Sequence, residues 1–122
     1  MRRILIVDDD LELASVIQEK TRACGESDVC TSGYQAMTQL RSGHYDMVVT
    51  DYSMQDGDGA SLAHFCHANG IEVIVISSFP EAHIQPYLPH SVTFLNKFHA
   101  VRGKTLEDLI KKRRILRMTK TS

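Results

Sequence analysis

Ile4-Leu5-Ile6-Val7-Asp8-Asp9-Asp10 places four apolar residues directly before three carboxylates. A short run that is apolar at every position reads as a strand covered on both faces, because a half-exposed strand would alternate. The same design recurs along the chain. Met47-Val48-Val49-Thr50 runs into Asp51, Val73 to Ile76 is the apolar centre of a fourth strand read as Ile71 to Ser77, and Val92 to Asn96 is a fifth, shorter strand. Asp28 to Thr31 is a weaker strand.

Helix-period segments fill the gaps. Asp10 can cap a helix that turns Leu13, Val16, Ile17, Thr21 and Cys24 to one face, with Gly25 as its stop. Ser32-Gly33-Tyr34-Gln35 has the form of a capping box, followed by a stripe of Ala36, Met37 and Leu40 and by Gly43. A Gly- and Asp-rich loop is expected from Ser53 to Gly59. The next helix turns Leu62, Phe65 and Cys66 inward and closes at Gly70. Thr105 can cap a last helix with Leu106, Leu109, Ile110 and Leu116 on its apolar side. Pro80, Pro86 and Pro89 interrupt the stretch between the last two strands, so the fourth helix is expected to be short or irregular. Strands alternating with helices define an α/β fold, a parallel sheet with helices on both faces.

Composition narrows the function. With 122 residues the chain suits one domain, read as 1–122 with no output domain. Lys plus Arg number 14 and Asp plus Glu 15, for a net charge of −1, which argues against a basic nucleic-acid coat. No apolar run approaches the ~20 residues of a membrane span. The apolar run behind Arg2 and Arg3 is too short, and too soon acidic, for a signal peptide. Cys24, Cys30 and Cys66 form no CxxC pair and read as reduced, mostly buried thiols of a cytoplasmic protein.

In parallel sheets of this kind ligands bind beyond the carboxyl ends of the strands. Here those ends carry Asp8, Asp9 and Asp10, then Asp51, then Ser77 and Ser78, and finally Lys97. Converging carboxylates repel and rise in pKa unless a cation joins them. Oxygen ligands alone, with a phosphate as a further ligand, suit Mg²⁺. Ser77 and Lys97 could then hold the remaining oxygens of a phosphoryl group, and one carboxylate could act as nucleophile. Asp51, alone at the end of a central strand, is the better candidate.

Taken together, Ile4 to Asp10, Val48-Val49-Thr50-Asp51-Tyr52-Ser53-Met54, Asp58-Gly59, Ile76-Ser77-Ser78 and Lys97 resemble the receiver domain of bacterial two-component response regulators. The resemblance spans nearly the whole chain. It implies a flavodoxin-like doubly wound sheet of order 2-1-3-4-5. It also implies Asp51 as phosphoacceptor, Asp9 as direct Mg²⁺ ligand with Asp8 beside it, and the Ser53 carbonyl completing the metal site. Ser77 matches the switch hydroxyl, Lys97 the lysine that pairs with the phosphoryl group, and Phe94 the aromatic switch position. Ser53 and Phe79 border the path of the attacking water, and the Phe79 ring is expected to shield the phosphoryl group and lengthen its lifetime.

Two departures from the family pattern matter. Gln55 stands where proline usually follows the methionine, and Phe98 stands where proline usually follows the lysine, often with a cis bond. A cis bond before a non-proline residue costs ~2.5–4 kcal/mol. A trans bond and a differently placed lysine loop are therefore expected.

The implied function is a phosphorylation-operated switch. Its donor is a histidine kinase or histidine phosphotransfer protein, and its output passes to a downstream protein or a second copy of the chain. It would act catalytically only on itself. The alternatives are a pseudo-receiver serving as a static docking module, and a Mg²⁺-dependent phosphohydrolase with an aspartyl nucleophile. The second lacks the Asp-x-Asp arrangement, since Ser53 holds its second position. His64 and His67 have a spacing that suits zinc, but no second ligand pair accompanies them, and a solvated helix face is expected. From Val101 onward eight Lys or Arg face two Asp or Glu, with Lys111-Lys112-Arg113-Arg114 at the centre. A solvated helix end is the plain reading; a docking surface for an acidic partner or a like subunit is the functional one, and no reading helix or aromatic interleaving supports nucleic acid.

Overall fold

The computed structural model describes residues 2–54 and 57–112. In chain order its elements begin with β1 (Arg3–Val7), α1 (Leu11–Thr21), β2 (Glu26–Cys30), α2 (Gly33–Ser42) and β3 (Met47–Asp51). A two-stranded hairpin of β4 (Ser53–Met54) and β5 (Gly57–Asp58) follows, then α3 (Gly59–Ala68) and β6 (Glu72–Ser77). The remainder is α4 (Glu81–Ile84), a 3₁₀ turn (Gln85–Tyr87), β7 (Thr93–Asn96), α5 (Lys97–Val101) and α6 over residues 105–112.

One parallel sheet has the order β2-β1-β3-β6-β7. With the small hairpin set aside, that is the expected 2-1-3-4-5 order of the flavodoxin-like fold. Alternation within each strand feeds two cores. Ile4, Ile6, Met47, Val49, Ile74 and Ile76 pack with Ala14 and Ile17 of α1 and with Leu106 and Ile110 of α6. Leu5, Val7, Val48, Val73 and Val75 pack on the opposite face with Ala36 and Leu40 of α2 and Leu62, Ala63 and Cys66 of α3. This explains the unbroken apolar runs of β1, β3 and β6, since these central strands have helices over both faces. Cys24, Cys30 and Cys66 are free and buried, as expected.

Several local expectations change. Val16 is 43% exposed, and Ala14 takes the inward position on α1. Gly25 has extended backbone; a Cβ there would collide with the Arg2 carbonyl, so the glycine serves close approach of β2 to β1. The loop after Asp51 contains the β4–β5 hairpin. Thr105 is the first residue of α6, and the Lys104 carbonyl takes the first helical bond, from the Asp108 N–H. The fourth helix is reduced to four residues behind Pro80, followed by a 3₁₀ turn containing Pro86, as the prolines require. Gln55, Arg113, Arg114 and Leu116 lie outside the described residues.

His64 and His67 do more than face solvent. The His64 Nε2–H donates to the Tyr87 carbonyl at 2.9 Å, and His67 Nδ1 bonds the Ser91 hydroxyl at 2.8 Å. They tie α3 to the irregular segment that replaces a long fourth helix. Among the described residues no helix is long and apolar enough to cross a membrane.

Candidate functional site

The site is built at the carboxyl edge of the sheet, where strand register aligns its residues. Asp51 pairs with Ile76, Ser77 pairs with Asn96, and Lys97 follows directly. On the other side of β3, Val7 pairs with Thr50, so Asp8 and Asp9 leave β1 beside Asp51. The chain then turns away at once. Asp10 caps α1, accepting from the Glu12 and Leu13 N–H groups.

The expected carboxylates converge. Asp8, Asp9 and Asp51 each offer an oxygen within 4.8 Å of the others. Asp8 is buried; its Oδ1 accepts from the Asp10 N–H at 2.9 Å, while its Oδ2 is buried with no hydrogen-bond partner. An orphaned carboxylate oxygen in an all-oxygen cluster is what a hard divalent cation satisfies, and the donor set fits Mg²⁺. Burial pushes the Asp8 carboxyl up, partly offset by the Asp10 hydrogen bond. Burial also raises Asp51 from 3.8 to about 6, with Asp8 adding to the rise and Lys97 opposing it.

Lys97 Nζ lies 3.9 Å from Asp51 Oδ2. The expected trans bond is present, since no described peptide bond is cis. In the lysine loop α5 starts at Lys97, with Asn96 as its cap. The lysine nonetheless reaches the carboxylate. Asn96 was not singled out from the sequence. The signal was its residue type, a favoured cap, directly before Lys97-Phe98-His99-Ala100-Val101.

Ser77 is buried, and its hydroxyl accepts from the Phe79 N–H at 2.9 Å. Ser53 is exposed and supplies a backbone hydrogen bond to the Asp51 carboxylate. Phe79 is 49% exposed, and its ring lies nearly perpendicular to that of Tyr52, with ring centroids 6.5 Å apart. Phe94 is partly buried and borders a cavity of about 180 Å³ that Glu81, Gln85, Leu88 and Val92 also line. Gly59 anchors the loop after Asp51, its N–H donating to the Tyr52 carbonyl at 2.7 Å.

This fold and site define a class. Residues 4–97 match the response regulator receiver domain, and the chain belongs to that family, whose members work in two-component signalling. Among curated relatives, the transcriptional regulatory protein ZraR of Escherichia coli K12 is 33% identical over 79 residues, 62% of this chain and 18% of ZraR. The chain thus spans a small part of that relative's length. Among solved structures, the Francisella response regulator 1452 receiver domain covers 100% of both chains at 25% identity, with a TM-score of 0.77. TrrA of Thermotoga maritima, solved in complex with Mg²⁺-BeF, covers 95% of this chain and 99% of its own at 22% identity, with a TM-score of 0.72.

Proposed function

We propose that this receiver domain takes a phosphoryl group onto Asp51 from the phosphohistidine of a histidine kinase or phosphotransfer protein, and signals the event to a downstream protein. The observation that carries this reading is one buried carboxylate, Asp51, facing both a lysine amine at 3.9 Å and the acidic pair Asp8 and Asp9. Asp8, Asp9, Asp51 and the Ser53 carbonyl are the residues to hold Mg²⁺. The ion supplies positive charge against carboxylate repulsion and against the incoming phosphoryl oxygens. TrrA, solved with Mg²⁺-BeF on the same fold, supports that choice.

An Asp51 carboxylate oxygen forms a bond to phosphorus as the donor's P–N bond breaks. The electron pair stays with the donor imidazole, which takes up a proton. The Lys97 amine neutralises a phosphoryl oxygen, and the Ser77 hydroxyl, now an acceptor from Phe79, turns to donate to another. Movement of Ser77 frees the neighbouring strand to repack, and the cavity beside Phe94 gives its ring somewhere to go. The population of the active surface then shifts by the difference in partner affinity between the two states. The protein acts only on its own carboxylate and turns over no external substrate.

The test is intact mass after incubation with Mg²⁺ and acetyl phosphate. The expected result is one phosphoryl adduct, lost in Asp51→Asn. No adduct at saturating Mg²⁺ would overturn the reading in favour of a static docking module, and repeated hydrolysis of a phosphate ester would favour a phosphohydrolase.

A further inference from the structure

Lys97 reaches Asp51 by a route without a proline. The chain starts a helix at the lysine itself. A helix leaves its first N–H groups without partners of its own, and here Asn96 meets one of them. Its Oδ1 accepts from the Phe98 N–H at 2.8 Å, and its backbone holds φ −64° and ψ 140°, the extended setting of a cap. The same residue ends β7 and is the partner of Ser77 across the sheet. Lys97 is therefore spanned: its neighbour on one side is fixed by the sheet, and its neighbour on the other by that residue's side chain.

Five residues are too few to hold a helix by their own hydrogen bonds. The far end of α5 has tertiary support, with Ala100 fully buried and Lys20 Nζ donating to the Gly103 carbonyl at 2.7 Å; the Arg102 guanidinium, 4.5 Å over the Phe98 ring, is a local contact within the same segment. The near end depends on the cap. A lysine stem is long and flexible, so the direction in which its amine is offered depends on the backbone that launches it. Without the cap, residues 97 and 98 gain other backbone settings, and the amine is no longer held to the one that places it 3.9 Å from Asp51.

We infer that Asn96 is a positioning residue for phosphoryl transfer, capping α5 so that the Lys97 amine stays at the Asp51 carboxylate. This rests on the function proposed above. It assigns to an asparagine side chain the task of launching the lysine where the chain has Phe98 in place of proline.

The test compares rate constants for adduct formation from acetyl phosphate. Asn96→Ala should slow the reaction about fivefold at saturating Mg²⁺, the factor by which losing one cap shifts a local helix equilibrium. Apparent Mg²⁺ affinity should not change, because Asp8, Asp9 and Asp51 are untouched. Asn96→Ser, a shorter but competent cap, should restore the rate. In a Lys97→Ala background, already slowed about a hundredfold, Asn96→Ala should add nothing, since the two residues act as one unit. An unchanged rate, no rescue by serine, or an independent effect in the Lys97→Ala background overturns the inference. Should Asn96→Ala not fold, Asn96→Gln, which is not a favoured cap, takes its place. If the wild-type chain takes up no phosphoryl group, the proposed function fails on its own. Crystal structures of the wild type and Asn96→Ala then decide the positioning. A lysine amine displaced from Asp51 in the variant supports it, and one that stays overturns it.

Discussion

Phe79 is the side chain expected to set how exposed the proposed phosphorylation centre is. Its ring is half exposed, yet its N–H is bonded to the Ser77 hydroxyl and the ring packs nearly perpendicular to Tyr52. The ring therefore stands at the mouth of the cleft and not in the core. An apolar ring there is expected to exclude water from the acyl phosphate that the proposed reaction leaves behind. Phe79→Ala should speed loss of the phosphoryl group severalfold with little change in its uptake, followed as decay of the adduct by intact mass after acetyl phosphate is removed. Decay at the wild-type rate would take Phe79 out of the site. The residue was legible because it stands two positions after Ser77. Its contact with Tyr52 was not, because that depends on how the loops after β3 and β6 fold toward each other.

At the scale of elements, the join between β3 and α3 is the tightest part of the site. A Cβ on Gly59 would stand 2.5 Å from the Asp51 carbonyl oxygen and 2.8 Å from the Tyr52 Cα. Both are backbone atoms, which cannot swing aside as the end of a side chain can. Gly59→Ala should cost about 1–3 kcal/mol of stability, measured by urea unfolding, and should slow adduct formation by pushing Asp51 off its place. A neutral result would mean that α3 and β3 have slack at this join. The remodelled fourth helix is the opposite case. Three prolines announced its shortening, but not the two histidine bonds from α3 that hold the replacement segment. Those bonds join residues 23 and 24 positions apart, beyond the reach of periodicity or capping rules.

For the molecule as a whole, the acidic cleft costs stability when it holds no cation. Burial, with Asp8 beside it, pushes the Asp51 carboxyl up to about 6 in the folded protein against an ordinary 3.8. Between those values the folded protein retains a proton that the unfolded chain has released. Stability therefore falls as pH rises through that window, and above it the cost is about 3 kcal/mol. Asp8, raised by burial as well, adds in the same direction. Without Mg²⁺, Asp51→Asn should be more stable than wild type by ~1–3 kcal/mol near pH 7.5, with the gap closing near pH 4. Mg²⁺ should narrow the gap at the higher pH by binding the folded wild type. Thermal melts at both pH values, with and without Mg²⁺, read all of this. A gap independent of pH would contradict the assignment of the cost to Asp51 ionisation.

The sheet and the corner of the fold that holds the candidate site were determined by the sequence alone. Unbroken apolar runs such as Ile4 to Val7 require cover on both faces, and the polar residues ending those runs meet wherever parallel strands lie side by side. Caps such as Asp10 and Ser32 were equally readable, because they act on N–H groups two or three residues away. Tertiary structure alone decided the rest: the reach of Lys97 without a proline, the cap at Asn96, the anchoring of the segment after α4, and the unpartnered oxygen of Asp8. Each depends on where two distant stretches of backbone finally sit to within about an ångström, and residue type and spacing do not carry that information.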